Sequence, residues 1–190
     1  TPEGSLPIHR RLAEGLEAGD GGRHLKSYHP APESAAAILH SEQWLDFNMI
    51  QSGHSRQSME NWRTIATDYE RIPPKPVLES EPCYENMPIG FSIGNGLFTD
   101  YDVRKAAYWS VFAGSFGFTY GANEVWQMYR RNHDKGVLWP QLEWENALQL
   151  PGSAQIRHLR ALMESRPFLT RVPANETLLR EFPLSVGSTN

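Results

Sequence analysis

Short apolar runs that end in polar side chains alternate along this chain with amphipathic helical segments, and no other feature constrains its fold as tightly. SLPIHRRLAEGLEA (5–18) sets Ile8, Leu12 and Leu16 on one helical face before GDGG (19–22) stops it. HLKSYH (24–29) alternates and predicts a strand, closed by PAP (30–32), and residues 34–40 predict a short Ala-rich helical turn. WLDFNMIQSGH (44–54) holds a second strand, with Phe47, Met49 and Ile50 apolar. QSMENWRTIATDYER (57–71) reads as a helix with Trp62 and Ile65 buried, broken by Pro73 and Pro74. PVLES (76–80) predicts a third strand and FGFTYGA (116–122) a fourth. Between them DVRKAAYWSVFAG (102–114) is an amphipathic helix with Asp102 near its positive end, and Trp109 and Phe112 are expected in the core. PGSAQIRHLRALMESRP (151–167) is the last helix, opened by Pro151.

Strands that alternate with helices imply a parallel sheet with right-handed crossovers. No G-x-G-x-x-G follows the first strand and no G-x-x-x-x-G-K occurs, so nucleotide binding has no motif behind it. The strand ends read SYHP, IQSGH, SEPCYE and TYGAN, all able to hydrogen-bond a hydroxylated ligand. Catalytic groups occupy that end of a (β/α)8 barrel. A whole barrel takes eight strands and roughly 250 residues, whereas this chain has 190 residues and patterns for four strands. The expected fold class is therefore α/β, one half of a TIM (β/α)8 barrel. Residues 1–168 are expected to form it, with 169–190 a tail or linker.

Aromatics make up 11% of the chain, which suits a core plus a stacking surface and argues against disorder. The net charge of −4, without a block of like charges, argues against nucleic acid as a partner. No apolar run is long enough for a membrane span. Cys83 is the sole cysteine, which rules out an internal disulfide or a cysteine-based zinc cluster, and no His nearby suggests a thiol nucleophile. TPEGSLPIHRR lacks the pattern of a secretory leader, and the chain is expected to be a processed form or a piece of a longer one.

The stretch KPVLESEPCYE (75–85) concentrates three carboxylates, Glu79, Glu81 and Glu85, at a strand end. Glu79 and Glu81 stand two apart, so on a continuous strand both face the same way, toward the barrel axis, with Glu81 nearer the rim. Lying on one wall, they cannot flank a bond between them, and an acid/base pair needs a partner from another strand. Glu81 is either a nucleophile or one member of an ion pair. Glu79 is better read as a supporting group, in an ion pair or orienting a neighbour. Glu85 is either a loop carboxylate satisfied by backbone amides or a substrate contact. His29, Gln51 and His54 end the first two strands and are candidate contacts to a hydroxylated ligand. Tyr84, Tyr120 and Trp126 follow the later strands, where aromatic rings can stack on a ligand's apolar face. Arg104 reads as structural, pairing with Glu79 or Asp102. A metal site of His29, His54 and Glu81 has no supporting spacing, so no metal or cofactor is expected.

QSGH (51–54), PVLESEPCYE (76–85), DVRKAAYWSVFAGSFGFTYGANEVWQ (102–127) and ALQLPGSAQIRHLRALMESRP (147–167) together resemble the apiosidase-like glycoside hydrolases, glycoside hydrolase family 140 and its relatives, formerly domain of unknown function 4038. The resemblance runs from about residue 5 to 180. It implies a TIM barrel of which this chain holds about strands 5–8, often followed by a small β-domain that is not in this sequence. It implies a glycoside hydrolase acting on plant or microbial polysaccharide, with Glu81 as nucleophile and with His29, Gln51, His54, Tyr84, Tyr120 and Trp126 as contacts to the sugar. The general acid, an Asp at the end of the fourth strand, is then expected upstream of Thr1, on the missing N-terminal half or a second chain. Secretion or a periplasmic location in a bacterium is expected. A different class also fits the residues, a non-catalytic carbohydrate-binding or structural half-barrel that needs a partner. So does a metal-dependent hydrolase on the same barrel.

Overall fold

The computed structural model describes residues 2–31, 34–133 and 135–174. A one-turn 3-10 helix, Pro2–Ser5, leads into α1 (Leu6–Asp20). The chain continues through α2 (Ala36–Leu39), β1 (Asn48–Ile50), α3 (Asn61–Tyr69), β2 (Val77–Glu79), α4 (Asp100–Phe112), β3 (Gly117–Phe118), α5 (Asn123–Trp126), α6 (Trp144–Ala147) and α7 (Pro151–Glu164). The strands form one parallel sheet in the order β1-β2-β3, with Ile50 opposite Glu79 and Glu79 opposite Phe118. Past the strands a further parallel bridge joins Glu85 to Ala122, so the loops after β2 and β3 stay together beyond the sheet.

The fold is thus α/β around a small parallel sheet, with helices packed on one face. Alternation along β1 and β2 decides that face. Ile50 and Val77 point into a cluster with Ile65 of α3 and Ala113. A second cluster joins Ala107 and Val111 of α4 to Leu159 of α7. The buried side of α4 is Val103, Ala106, Ala107, Ser110 and Val111, and these small residues let α3 and α7 approach closely. That packing corrects the expectation for the aromatics of α4: Phe112 is exposed and Trp109 half-buried, displaced to the flanks of the contact. Asp102 caps α4 from inside, accepting the Thr99 amide at 2.9 Å and the Thr99 hydroxyl at 2.8 Å.

HLKSYH is not a strand. It runs alongside residues 46–47 but is held mainly through side chains: the Lys26 amide donates to Asp46 Oδ2 at 2.6 Å and the Ser27 hydroxyl to the Phe47 carbonyl at 2.7 Å. Among the described residues, only the bond from the Asp46 amide to the Lys26 carbonyl, 2.9 Å, joins it backbone to backbone. Helix α1 forms as expected and ends on Gly21 at φ 68°, the left-handed conformation that glycine adopts without strain. Its stripe of Ile8, Leu12 and Leu16 is exposed. Residues 175–190 of the expected tail lie outside the described residues. Among the described residues, no helix is long and apolar enough to cross a membrane.

Candidate active site

The carboxylate of Glu81 is the point on which three expected sugar contacts converge. Gln51 Nε2 donates to Oε1 at 2.8 Å, His54 Nε2 meets the same oxygen at 3.2 Å, and His29 Nε2 lies 2.9 Å from Oε2. Two loop contacts fix this geometry. The Gly53 amide donates to the Glu81 carbonyl at 2.9 Å, and the Gly90 amide to the His54 carbonyl at 2.8 Å. Gly53 sits at φ 73°, so the turn between Gln51 and His54 depends on a residue without a Cβ. Glu81 keeps 21% of its side chain exposed, against 4% for His54 and 46% for His29. The anion therefore stands at the open end of the sheet, gripped from below and beside.

Glu79 does not share that outlook. The amides of both Ser80 and Glu81 donate to the Ile50 carbonyl, at 2.9 and 3.3 Å, so two residues of one chain answer one residue of its neighbour. Such a bulge reverses the alternation of side chains beyond it, so Glu81 leaves the face that Val77 and Glu79 share. Glu79 stays on the helix side, fully buried, where it accepts the Ser52 amide at 3.2 Å and Asn61 Nδ2 of α3 at 3.2 Å. Asn61 also reaches the Ser110 hydroxyl of α4 at 2.8 Å. Burial pushes the Glu79 carboxyl up to about 7, against the pull of these donors. The expectation that Glu79 faces the axis and pairs with a barrel Arg or His is corrected.

Arg104 contacts neither Glu79 nor Asp102. It lies 3.4 Å from Asp100 Oδ2, one helical turn back, and donates to Gln155 Oε1 of α7. The reason is local: Asp102 is occupied by Thr99, and i,i+4 spacing brings Asp100 to the Arg104 side of α4. Glu85 is buried as well. Its Oε2 accepts the Tyr120 hydroxyl at 2.7 Å and the Gly152 amide at the start of α7 at 3.0 Å. Burial raises its pKa, with those two donors opposing. The Tyr120 hydroxyl is therefore committed to tying β2, β3 and α7 together.

Tyr84 stands edge-on to His54, with centroids 4.7 Å apart, and its phenol is pushed up to about 12 by burial and by nearby Glu81. A Cβ on Gly121 would come within 2.2 Å of the Tyr84 ring, so that ring rests directly on backbone. Trp126 is half-exposed on α5, its indole donating to Asn123 Oδ1 at 3.2 Å. Burial pushes the Cys83 thiol up to about 12, which leaves it a poor nucleophile at neutral pH. Among the described residues, no group of three or more His, Cys, Asp or Glu side chains is arranged to hold a metal ion; both histidines point at the carboxylate itself. A cleft of about 610 Å³ lies elsewhere, between α1 and residues 41–46, but its charges pair with one another, Arg10 with Glu42 and Lys26 with Glu17.

Sequence reasoning missed Asn123, which is fully buried and holds both Trp126 and the loop that follows it. Its position just after the last strand resembles a helix-start signal, and its main partner is fifteen residues further on.

Two solved structures similar to this chain are glycoside hydrolases. One, named only as a glycoside hydrolase, is 39% identical with a TM-score of 0.82, over 87% of this chain and 40% of its own. Another, a family 5 glycoside hydrolase from Bacteroides vulgatus ATCC 8482, is 37% identical with a TM-score of 0.81, over 87% of this chain and 39% of its own. The chain spans about two fifths of the length of either. No curated protein matches it. Fold and sequence together thus relate the chain to glycoside hydrolases. Within that class, the model of the apiosidase-like catalytic domain matches residues 2–170, and the chain belongs to this family.

Proposed function

We propose that the catalytic domain to which this chain contributes hydrolyses glycosidic bonds in a plant or microbial polysaccharide, by double displacement with Glu81 as nucleophile. The observation that carries the reading is the Glu81 carboxylate itself, partly open at the strand ends and oriented by Gln51, His54 and His29. In the first step a Glu81 oxygen attacks the anomeric carbon, the bond to the leaving oxygen breaks, and a general acid protonates that oxygen. In the second, the same group removes a proton from water, which attacks the anomeric carbon and frees Glu81. A retaining pair needs its carboxyls about 5–5.5 Å apart on opposite sides of the bond. Glu79 faces the helices and Glu85 is tied to Tyr120 and Gly152, so neither suits. The family resemblance implies that the acid is an Asp on a barrel strand outside these residues.

The half-barrel reading is supported by the outer edge of β3, which no strand among the described residues covers. Beside it runs an apolar groove of about 390 Å³ lined by Val111, Phe116, Phe118, Ile156, Leu159 and Met163. A further strand–helix unit of a barrel would fill both. The same open edge favours the second reading, a carbohydrate-binding half that works only with a partner chain. The family points to apiose linkages in pectin as substrate. His29 and Trp126, the most exposed of the expected contacts, would meet the sugar, while Gln51 and His54 serve mainly to hold Glu81.

The test is Glu81→Gln in the protein carrying the whole catalytic domain, assayed by sugar release from pectin oligosaccharides. A loss on the order of ten-thousandfold is expected. Retained turnover would remove Glu81 from the chemistry, and an inactive wild type that still binds the glycan would favour the binding module.

A further inference from the structure

Two residues before Glu81, on the helix side of β2, the carboxyl of Glu79 is fully buried, and the mechanism above gives it no part. Burying a carboxyl is costly, and an apolar side chain would fill the same space without that cost. Its two oxygens have separate partners. Oε2 accepts Asn61 Nδ2 of α3 at 3.2 Å. The same Nδ2 lies 3.1 Å from the Ala106 carbonyl and 2.8 Å from the Ser110 hydroxyl, both on α4. Oε1 accepts the amide of Ser52 at 3.2 Å. One oxygen is thus anchored to the helices, and the other reaches the turn at 51–54.

That turn serves both carboxyls. From its two ends Gln51 and His54 direct their side chains to Glu81 Oε1. Between them, Ser52 gives its amide to Glu79 and Gly53 gives its amide to the Glu81 carbonyl. Four consecutive residues therefore bridge two carboxyls that stand on opposite sides of one strand end. We propose that Glu79 is a positioning residue: through the Ser52 amide it sets the turn from which Gln51 and His54 orient Glu81. The inference rests on the catalytic reading of Glu81 and adds to it a control from the helix side. An ionised acceptor holds an amide more strongly than a neutral one, so the grip tightens as Glu79 loses its proton, at a pH of about 7. Two other titratable groups feel that charge, Glu81 and Cys83, and the Cys83 thiol, pushed up to about 12, stays protonated there. Asn61 of α3 and Ser110 of α4 do not titrate. Across the turn, burial holds the His54 pKa below its ordinary value, and His29 meets the other oxygen of Glu81.

The experiment follows the Ser52 amide and the His54 ring nitrogens by NMR in the complete catalytic domain, without ligand, from about pH 5.5 to about pH 8.5. In wild type the two signals should shift together with a midpoint of about 7. Glu79→Gln keeps an oxygen for the Ser52 amide but cannot ionise, and both signals should lose that step. Turnover of the pectin oligosaccharides gives a second readout. Wild-type kcat should rise about tenfold through the same midpoint while KM stays within about twofold, and the variant should keep the low-pH rate throughout. A group that only stabilised the fold would move neither the pH profile nor the His54 signals. A Ser52 amide that does not titrate in wild type overturns the proposal, and that measurement needs no variant to fold. So does a kcat step that survives Glu79→Gln, which would assign it to His29 or another group. Absence of hydrolysis by wild type, with the two signals still coupled, would count against Glu81 as nucleophile and leave the positioning role standing.

Discussion

His54 gives Nε2 to Glu81 Oε1 at 3.2 Å while its buried Nδ1 meets no hydrogen-bond partner. A protonated ring would leave a buried N–H without an acceptor, on a side chain flanked by the rings of Tyr84, Phe91 and Phe98. Burial lowers the His54 pKa against the opposing pull of Glu81. The ring is therefore neutral, with its proton on Nε2 and directed at the carboxylate. Nitrogen-15 shifts should report that tautomer and show it persisting below pH 6.5, the ordinary histidine value. His54→Ala should lower kcat about tenfold by releasing one grip on Glu81, and His54→Gln, which keeps an N–H donor, should lose less. An imidazolium spectrum at pH 6.5 would contradict this assignment.

Glu79 makes stability fall as pH rises. Its carboxyl ionises near 4.5 when unfolded but only near 7 when folded. Between those values the unfolded chain has lost the proton that the folded one keeps, so rising pH favours unfolding, by up to about 3 kcal/mol. His54 slopes the other way, since its depressed pKa costs stability as pH falls below 6.5. Comparing wild type with Glu79→Gln isolates the first effect. Urea unfolding should show the variant gaining on wild type from pH 4.5 to pH 7.5, and a constant difference would show that Glu79 is not the buried acid described.

Gly152→Ala should destabilise the fold by about 2 kcal/mol. Its Cβ would stand 2.3 Å from Glu85 Oε2 and 2.7 Å from Val103 Cγ2, and Glu85 cannot swing away without leaving Tyr120. Denaturant unfolding measures this, and an unchanged midpoint would mean that α7 can slide.

Gly121→Ala should act on catalysis more than on stability. The added methyl would strike the Tyr84 ring at 2.2 Å, and Tyr84 packs on His54. A drop in kcat several times larger than any change in KM is expected. Equal changes in both would mean that Tyr84 only binds substrate.

The strand–helix alternation and the polar strand ends were legible because periodicity is a local property. QSGH and SEPCYE marked the loops that meet in the site, and Gln51, His54 and His29 do gather there. What their sequence positions could not reveal is that they face Glu81 itself. Glu79 was misread because the parity rule assumes an unbroken strand, and the bulge at Ser80–Glu81 depends on a partner, Ile50, thirty residues away. HLKSYH has strand periodicity but lies beside residues 46–47 through Asp46 and Ser27 side chains, which a pattern of apolar residues does not record. Asn123 was invisible for the same reason, its importance lying in bonds to residues distant in sequence.

The central claim is that the side chain of Glu81 becomes covalently bonded to the sugar. The most direct measurement is treatment of the complete catalytic domain with an activated 2-deoxy-2-fluoro glycoside of its substrate sugar, followed by peptide mass mapping. A single glycosyl adduct on Glu81, absent in Glu81→Gln, is the predicted result. An adduct on another carboxylate, or full hydrolysis with no adduct, would contradict it.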